Sequence, residues 1–305
     1  MDVSVIIVNY NTCDLLKQCI QSIISNTREV VYEIIVIDND SHDESCQMLK
    51  NDFPIVKLIR SNINLGFGKA NNLGIKQASG KYLFFLNSDT ILCNNAIKNF
   101  FEFSISYTDK LGAVGTILKD NNGNNIHSYG KFITIKSELK NVLTKYSKIF
   151  GVKNNTDYLY PPAIKESKEV DYITGADLFI PYKVYQELEG FDPMFFMYCE
   201  EVDWQYRMAI NGYKRLIISE PEIIHLEGGS DPSQSSAWSF NRMKNIFTSK
   251  LYYIKKHNKY SAYICFRFFY LGLWIPLILL RKDLFTNKLK LIQLLFTKIY
   301  NCGYK

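Results

Sequence analysis

Small polar and acidic residues follow one strongly apolar stretch of this sequence. The stretch YLFFL (82–86) leads directly into Asn87, Ser88 and Asp89. Carboxylate and other oxygen groups at the end of a strand suit a hard divalent cation such as Mg²⁺. The alternative is an ordinary turn in which the Asn and Asp side chains bond to their own backbone.

A second acidic cluster, Glu200-Glu201-Val202-Asp203, begins a helical pattern that continues to about Asn211. A carboxylate here can act as a general base and accept the proton of a hydroxyl group. Acidic residues in a first helical turn are also favoured by the helix dipole. This second explanation accounts for one or two of the three acids.

His225 is one of only four histidines and follows the apolar residues Ile223 and Ile224. A neutral imidazole is an acceptable ligand for Mn²⁺ and for other transition metals. The alternative is a structural histidine with its hydrogen bonds satisfied inside the protein.

The first 120 residues alternate between apolar stretches and amphipathic helical patterns. Five apolar stretches without polar alternation predict strands at 3–9, 33–38, 55–60, 82–87 and 113–118. Such strands, separated by helices, indicate a parallel sheet that is covered on both faces. In these sheets ligands bind beyond the carboxyl ends of the strands. The polar residues after the strands therefore share one rim, rich in Asn and Asp.

The region between 120 and 170 has no regular pattern. NNGNN (121–125) predicts a turn, and the polar segment 136–168 predicts a mobile loop. The seven cysteines contain no C-x-x-C pair, which favours reduced thiols in a cytosolic protein. The acidic start MDVSVIIVNYN indicates a first strand and no signal peptide.

The charge is divided unevenly along the chain. From position 242 to the end there are 13 Lys and Arg and one acid, Asp283, whereas residues 1–241 carry a net negative charge. We therefore divide the chain into a catalytic domain, 1–235, and a basic, aromatic, helical region, 236–305. The acidic part does not favour binding to nucleic acid.

The segment 260–280 is a 21-residue apolar stretch with one charge, Arg267. Aromatic residues and flanking Lys and Arg favour a helix that lies in a membrane interface. A spanning helix is one alternative. A helix packed on the domain or on a second subunit of a homo-oligomer is the other.

Seven blocks in series resemble the family 2 glycosyltransferases, and most closely the rhamnosyltransferase-like enzymes of bacterial polysaccharide assembly. They are VSVIIVNYNT, VIDNDSHDES, NINLGFGKANNLGI, FFLNSDT, YITGADLFI, FDPMFFMYCEEVDWQYR and IIHLEGGS. The resemblance covers residues 1–230. It implies an α/β, Rossmann-like A-type glycosyltransferase fold with a mostly parallel sheet, followed here by a helical C-terminal appendage. It also implies a nucleotide-sugar donor, Mg²⁺ or Mn²⁺, and inversion at the anomeric carbon.

The resemblance assigns roles to the residues that could do chemistry. Asp89 matches the last aspartate of the metal-binding motif, whose first position is Asn87 here, and His225 matches a further metal ligand. Glu201 matches the catalytic base, with Glu in place of the usual Asp, and Asp203 is the second candidate. Glu200 is expected to position the substrate.

Further residues are implied to bind the nucleotide sugar. Asp38 is expected to accept the N3 hydrogen of uracil or thymine, and its chemistry agrees with this role. Asp177, in TGAD, is expected to contact a sugar or acceptor hydroxyl, and Trp204 to stack on a sugar. The remaining expected contacts are Asn11, Asn39, Asn64, Gly66, Asn71 and Ser88.

These observations predict an inverting, metal-dependent transferase that adds one sugar from dTDP-rhamnose or a UDP-hexose to a glycan. The Q-x-x-R-W signature of processive synthases is absent, since Gln205 is followed by Tyr-Arg-Met-Ala. A polyprenyl-diphosphate-linked acceptor at the cytoplasmic leaflet fits the basic region. The alternatives are a non-catalytic carbohydrate-binding or scaffold protein and, with less support, a nucleotidyltransferase.

Overall fold

The structure is a computed structural model that describes residues 1–149, 161–226, 240–280 and 285–296. The chain forms two compact units. The first contains residues 1–131, 157–193 and 200–232, and the second contains 132–156, 194–199 and 233–305. The second unit therefore includes two earlier segments besides the C-terminal residues, and the predicted boundary at 235 stays a prediction.

The first unit is built from strands and helices that alternate along the chain. Its strands are β1 (Val3–Asn9), β2 (Tyr32–Asn39), β3 (Lys57–Ser61), β4 (Tyr82–Asn87), β5 (Thr90–Leu92), β6 (Leu111–Thr116), β7 (Tyr129–Gly130), β8 (Lys168–Glu169), β9 (Tyr172–Ile173), β10 (Asp177–Pro181), β11 (Lys214–Ile218) and β12 (Ile223–His225). Its helices are α1 (Cys13–Asn26), α2 (Ser45–Asp52), α3 (Phe67–Ile75), α4 (Ala96–Ser106), α6 (Tyr182–Leu188) and α7 (Glu200–Ile210).

An eight-stranded sheet forms the centre of the first unit, in the order β3-β2-β1-β4-β10-β6-β11-β8. Strands β3, β2, β1 and β4 are parallel, as are β6 and β11. The predicted mostly parallel sheet is therefore confirmed. Strand β10 is the main exception, because it runs antiparallel to both β4 and β6. The pairs β5–β12 and β7–β9 form two separate antiparallel ribbons.

The sheet has an apolar core on each face, which explains why its strands show no polar alternation. Along β1, Val5 and Ile7 pack into the core that includes α1, α2 and α4. Ile6 packs into the opposite core, which includes α3, α6 and α7. In β4, the side chains of Phe84 and Phe85 point into the two cores in turn and are fully buried. Burial on both faces fixes the register of the strand and the point where it ends.

The second unit is helical in the part that the structure describes. Its helices are α5 (Ile135–Ile149), α8 (Phe240–His257), α9 (Tyr260–Leu279) and α10 (Phe285–Phe296). The predicted helical C-terminal region is confirmed.

The predicted mobile loop at 136–168 is wrong for its first part, where α5 is a helix of 15 residues. The helix is stabilised by its packed side, since Glu138 and Val142 are buried one turn apart. Lys250 of α8 donates hydrogen bonds to both carboxylate oxygens of Glu138, at 2.8 and 3.0 Å. The polar composition of the segment conceals this packed side. Residues 150–160 lie outside the described part of the chain.

Candidate active site

The two predicted metal ligands lie side by side at the end of β4. The Oδ1 atom of Asp89 is 3.1 Å from Nε2 of His225. The ribbon of β5 and β12 brings them together, because His225 pairs with Thr90, the residue after Asp89. The backbone N–H of Leu226 also donates to the carbonyl oxygen of Asp89, at 2.8 Å. Residues more than 130 positions apart in the sequence thus form one site.

The side chains of this pair fit a divalent cation that is only partly bound by protein. Both are mostly buried but not closed off, with exposed side-chain fractions of 8% for Asp89 and 15% for His225. Within the described ranges there is no group of three or more His, Cys, Asp or Glu side chains that could hold a metal ion. One carboxylate and one imidazole leave several coordination positions for phosphate oxygens and water, as Mg²⁺ and Mn²⁺ sites on diphosphates require.

Asn87 supports the imidazole. Its Nδ2 atom lies 3.4 Å from Nε2 of His225, a weak hydrogen-bond distance. Its backbone N–H donates to the carbonyl oxygen of Ala176, at 3.1 Å. The first residue of the motif therefore lies against His225, at a position where an aspartate would offer a second carboxylate.

A chain of buried polar side chains connects the metal-binding motif to Asp38. The Oγ1 atom of Thr12 and the Oγ atom of Ser88 are joined by a hydrogen bond of 2.9 Å. The Thr12 hydroxyl group also lies 2.7 Å from Oδ1 of Asn9, to which it donates. The Nδ2 group of Asn9 donates to Oδ1 of Asp38, at 3.3 Å. All four side chains are almost fully buried. The place of Thr12, three residues beyond the end of β1, is the sequence signal for this role.

Asn11 connects the loop after β1 to the loop after β2. Its side-chain oxygen accepts from the backbone N–H of His42, at 2.7 Å, and its backbone N–H donates to Oγ of Ser41, at 3.0 Å. Its backbone has a positive φ of 54°. The side chain of Asn11 is exposed, so it lies at the surface of the rim.

Asn39, Asn64 and Gly66 shape the loop before α3. Asn39 accepts from the backbone N–H of Leu65, at 2.8 Å, and donates to Oδ1 of Asn64, at 3.0 Å. The same Asn64 oxygen accepts from the N–H of Gly66, at 2.9 Å, and Gly66 has a φ of 79°, which favours glycine. Asn71 is buried and donates to the carbonyl oxygen of Phe67, at 3.1 Å. Asn39 and Asn71 therefore support the loop and the helix.

Glu201 lies in the first turn of α7, and its side chain is partly exposed. Burial raises the pKa of Glu201 from 4.5 to about 7. A carboxylate with this pKa can accept a proton near neutral pH. Glu200, in contrast, is 3% exposed.

Gln205 holds Glu201 against the chain segment that precedes β10. Its Oε1 accepts from the backbone N–H of Ile173, at 2.8 Å, and its Nε2 donates to the carbonyl oxygens of Ile173 and Glu201, at 2.7 and 3.2 Å. A Cβ atom on Gly175 would lie 4.0 Å from Cβ of Glu201, so the two residues are neighbours. Because Ala176 binds Asn87, this segment connects Glu201 to the end of β4. A supporting role for Gln205 was not predicted.

Three further predicted site residues have fully buried side chains, and their roles stay predictions. Asp203 pairs with Arg207, whose Nε is 3.0 Å away, and Arg207 also binds the carbonyl oxygens of Leu188 and Gly190. Trp204 packs edge-on against Phe85 and Phe191, with ring centroids 5.8 and 4.8 Å away. It has no face open to a sugar.

Asp177 is the third of these residues. Its Oδ2 accepts from the backbone N–H of Thr116, at 2.6 Å, and the side chain is not exposed. Burial raises the pKa of Asp177 well above its ordinary value. This hydrogen bond fastens β10 to β6.

Comparison with solved structures defines the class of fold. The crystal structure of GalNAc-T7 with UDP, GalNAc and Mn²⁺ aligns with a TM-score of 0.57 at 19% sequence identity, over 82% of this chain and 47% of that chain. The mixed α/β architecture with its mostly parallel sheet is the A-type glycosyltransferase fold.

The chain belongs to glycosyl transferase family 2, whose model matches residues 4–160, more than half of its length. It is similar to the N-acetylglucosaminyl-diphospho-decaprenol L-rhamnosyltransferase of Mycobacterium tuberculosis, with 23% identity over 249 residues, 76% of this chain and 80% of that protein. Rhamnosyltransferase WbbL of Escherichia coli is 24% identical over 233 residues, 73% of this chain and 83% of that one. The poly(ribitol-phosphate) beta-glucosyltransferase of Bacillus spizizenii is 34% identical, but over only 34% of this chain and 17% of its own length.

Proposed function

We propose that this protein is an inverting, metal-dependent transferase that moves one sugar from a nucleotide-diphosphate donor to a hydroxyl group of a glycan. The observation that carries the proposal is the contact between Asp89 and His225 beyond the end of β4. An acid and an imidazole at this edge are suited to a cation that binds the donor diphosphate.

Glu201 is the proposed catalytic base. It removes the proton of the acceptor hydroxyl, whose oxygen then bonds to the anomeric carbon as the bond from that carbon to the diphosphate oxygen breaks. A single displacement of this kind inverts the anomeric centre. Asp89 and His225 would hold the cation, and a bound Mg²⁺ or Mn²⁺ would offset the charge that develops on the departing diphosphate.

Asp38 is proposed to recognise the pyrimidine base. Its carboxylate accepts from Asn9 and from the backbone N–H of Ser41, both at 3.3 Å. Each carboxylate oxygen can accept more than one hydrogen bond, so the imide N–H of uracil or thymine can still be bound. Asn11, Ser88 and the loop that contains Asn64 and Gly66 complete the proposed donor pocket.

The rhamnosyltransferases that align with most of the chain support L-rhamnose as the transferred sugar. We therefore propose dTDP-rhamnose as the first donor to test and UDP-hexoses as the second. The similarity to an N-acetylglucosaminyl-diphospho-decaprenol L-rhamnosyltransferase supports a polyprenyl-diphosphate-linked saccharide as the acceptor. This acceptor and the basic C-terminal region support a place of action at the cytoplasmic face of a membrane.

Calorimetric titration of UDP and dTDP, with and without Mn²⁺, tests the donor site. We expect metal to strengthen the binding of one of the two nucleotides. Asp89→Ala should lower the affinity for that nucleotide in the presence of metal by about 10- to 100-fold, because a charged ligand is lost. Asp52→Ala, which removes a half-exposed acid on α2 that pairs with Lys17, is the control and should bind as wild type. Equal binding with and without metal would exclude the proposed metal site.

Thr12→Val tests the buried chain between Asp38 and Ser88. Valine has the same shape but lacks the hydroxyl group that binds Asn9 and Ser88, so both partners lose a buried hydrogen bond. We expect about a tenfold loss of affinity for the nucleotide with Mn²⁺, as a loss of about 1–2 kcal/mol implies. Thr12→Ser keeps the hydroxyl group and should restore binding in the same titration. If both variants bind equally, the hydroxyl group has no part in the pocket.

A further inference from the structure

Helix α9 is apolar on two opposite sides. Its buried residues recur every three or four positions and form one stripe along the helix. They are Tyr263, Phe266, Tyr270, Trp274, Leu277 and Ile278. On the other side Ile264, Phe268, Phe269 and Leu279 are exposed, Phe268 by 75% and Phe269 by 60%. We call these four residues the exposed face of α9.

The exposed face of α9 contains no charged residue. Arg267 is the only charge of the helix, and its Nη2 donates to the carbonyl oxygen of Leu295 in α10, at 2.8 Å. The guanidinium group of Arg267 is therefore bound to another helix of the second unit. A helix that faces water normally presents polar residues on its open side, so an apolar open side indicates a binding surface.

We propose that the exposed face of α9 inserts into the interfacial layer of an anionic phospholipid bilayer. This deepens the membrane association of the proposed function and does not depend on the donor chemistry. The charge of the C-terminal region is complementary, with 13 basic residues and one acid from position 242 onward. Lys255 and Lys256 lie in the last turn of α8, and Lys259 immediately precedes α9. Basic residues beside an apolar helix face are attracted to anionic headgroups.

The helix lies along the bilayer surface in this proposal. In the described part of the chain α9 is the one helix long and apolar enough to cross a membrane, and 33% of that stretch is buried inside the protein. Its buried side packs on α8, where the ring centroids of Trp274 and Phe247 are 4.7 Å apart. It also packs on α5, where the hydroxyl group of Tyr146 donates to the carbonyl oxygen of Leu273. These partner helices carry the Lys250–Glu138 pair and many lysines, which are unfavourable in a hydrocarbon core.

Vesicle flotation of the full chain tests the proposal, without nucleotide or metal. The vesicles contain either phosphatidylcholine alone or phosphatidylcholine with about a third phosphatidylglycerol. We expect wild type to bind the anionic vesicles, less at high salt, and not the neutral ones. The double variant Phe268→Glu/Phe269→Glu should lower the affinity at least tenfold, because it places two charges in the lipid. The matched control, Ile55→Glu/Ile105→Glu, changes two exposed apolar residues of the first unit and should bind as wild type.

Equal vesicle binding by wild type and by the Phe268/Phe269 variant would overturn the proposal. It would also be overturned if wild type did not bind vesicles but formed a dimer, by light scattering, that the variant converted to monomers. The exposed face would then be a contact between two copies of the chain. Calorimetry with UDP and dTDP separates the two proposals, since a failure of nucleotide binding would refute the donor site and leave vesicle binding unaffected.

Discussion

Glu201→Gln is expected to lower kcat by about a thousandfold, while nucleotide affinity changes little. Glutamine keeps the shape of the side chain but cannot accept a proton, and general base catalysis contributes about 10²- to 10⁴-fold. The measurement is sugar transfer with the donor that calorimetry selects. A variant with more than a tenth of the wild-type kcat would show that another group is the base.

The same residue predicts how the wild-type rate depends on pH. Because burial raises the pKa of Glu201 to about 7, the base is protonated and inactive at low pH. We expect kcat/KM to rise up to about pH 7 and then to level off. The folded protein gains stability from the protonated carboxyl below its ordinary value of 4.5 and loses it as pH rises through 7. At pH 8, therefore, Glu201→Gln should be at least as stable as wild type, and thermal unfolding can show that its inactivity is not unfolding.

Asp203→Asn distinguishes the two acids that the sequence left as candidates. Its carboxylate is fully buried and pairs with Arg207, so we expect this variant to lose stability and to keep the pH dependence of the wild-type rate. A loss of the pH dependence in Asp203→Asn, with Glu201→Gln still active, would assign the base to Asp203.

Gly80→Ala is expected to lower the free energy of unfolding by about 3 kcal/mol, through overpacking against backbone atoms. A Cβ atom at this position would lie 2.4 Å from the backbone nitrogen of Ser4 and 2.7 Å from the carbonyl carbon of Val3. Both atoms belong to β1, which pairs with β2 and β4 and cannot move aside. The backbone N–H of Gly80 also donates to Oγ of Ser4, at 2.8 Å.

Chemical denaturation measures this effect, and Gly272→Ala is the control. No atom lies within 4 Å of a Cβ at Gly272, which is exposed on α9, so alanine should leave stability unchanged or raise it. Equal denaturation midpoints for wild type and Gly80→Ala would mean that the turn before β4 can move away from β1 at little cost in free energy. The site residues lie at the other ends of these strands, so Gly80→Ala should keep its nucleotide affinity while it is folded.

The central strands could be predicted from the sequence because they are buried on both faces. The apolar stretches at 3–9 and 82–87 match β1 and β4 at both ends. The antiparallel direction of β10 could not be predicted, because hydrophobic pattern carries no strand direction. Helix α5 was missed since its buried side includes Glu138, an acid that is held by Lys250. Long-range pairing of this kind has no local signal.

The candidate site could be predicted where side chains lie just beyond strand ends. The sequence pattern predicts Asp89, His225 and Glu201 as candidates. The burial of Asp203 and Trp204 could not be predicted, because it depends on the direction in which each residue of α7 points. The burial of Asp177 could not be predicted either, since it is the first residue of an inner strand.

The ribbon of β5 and β12 is the local element that keeps His225 beside Asp89. It consists of three residue pairs and is separate from the eight-stranded sheet. Short two-stranded ribbons have little stability of their own, and local opening of such elements requires less energy than global unfolding. The ribbon is also held on its other side, because the backbone N–H of His225 donates to the carbonyl oxygen of Lys119, at 2.9 Å. Withdrawal of His225 from Asp89 therefore requires both sets of bonds to open, while β4 can stay in place. In the proposed function, release of the spent diphosphate would then depend on this local opening and not on the stability of the whole sheet.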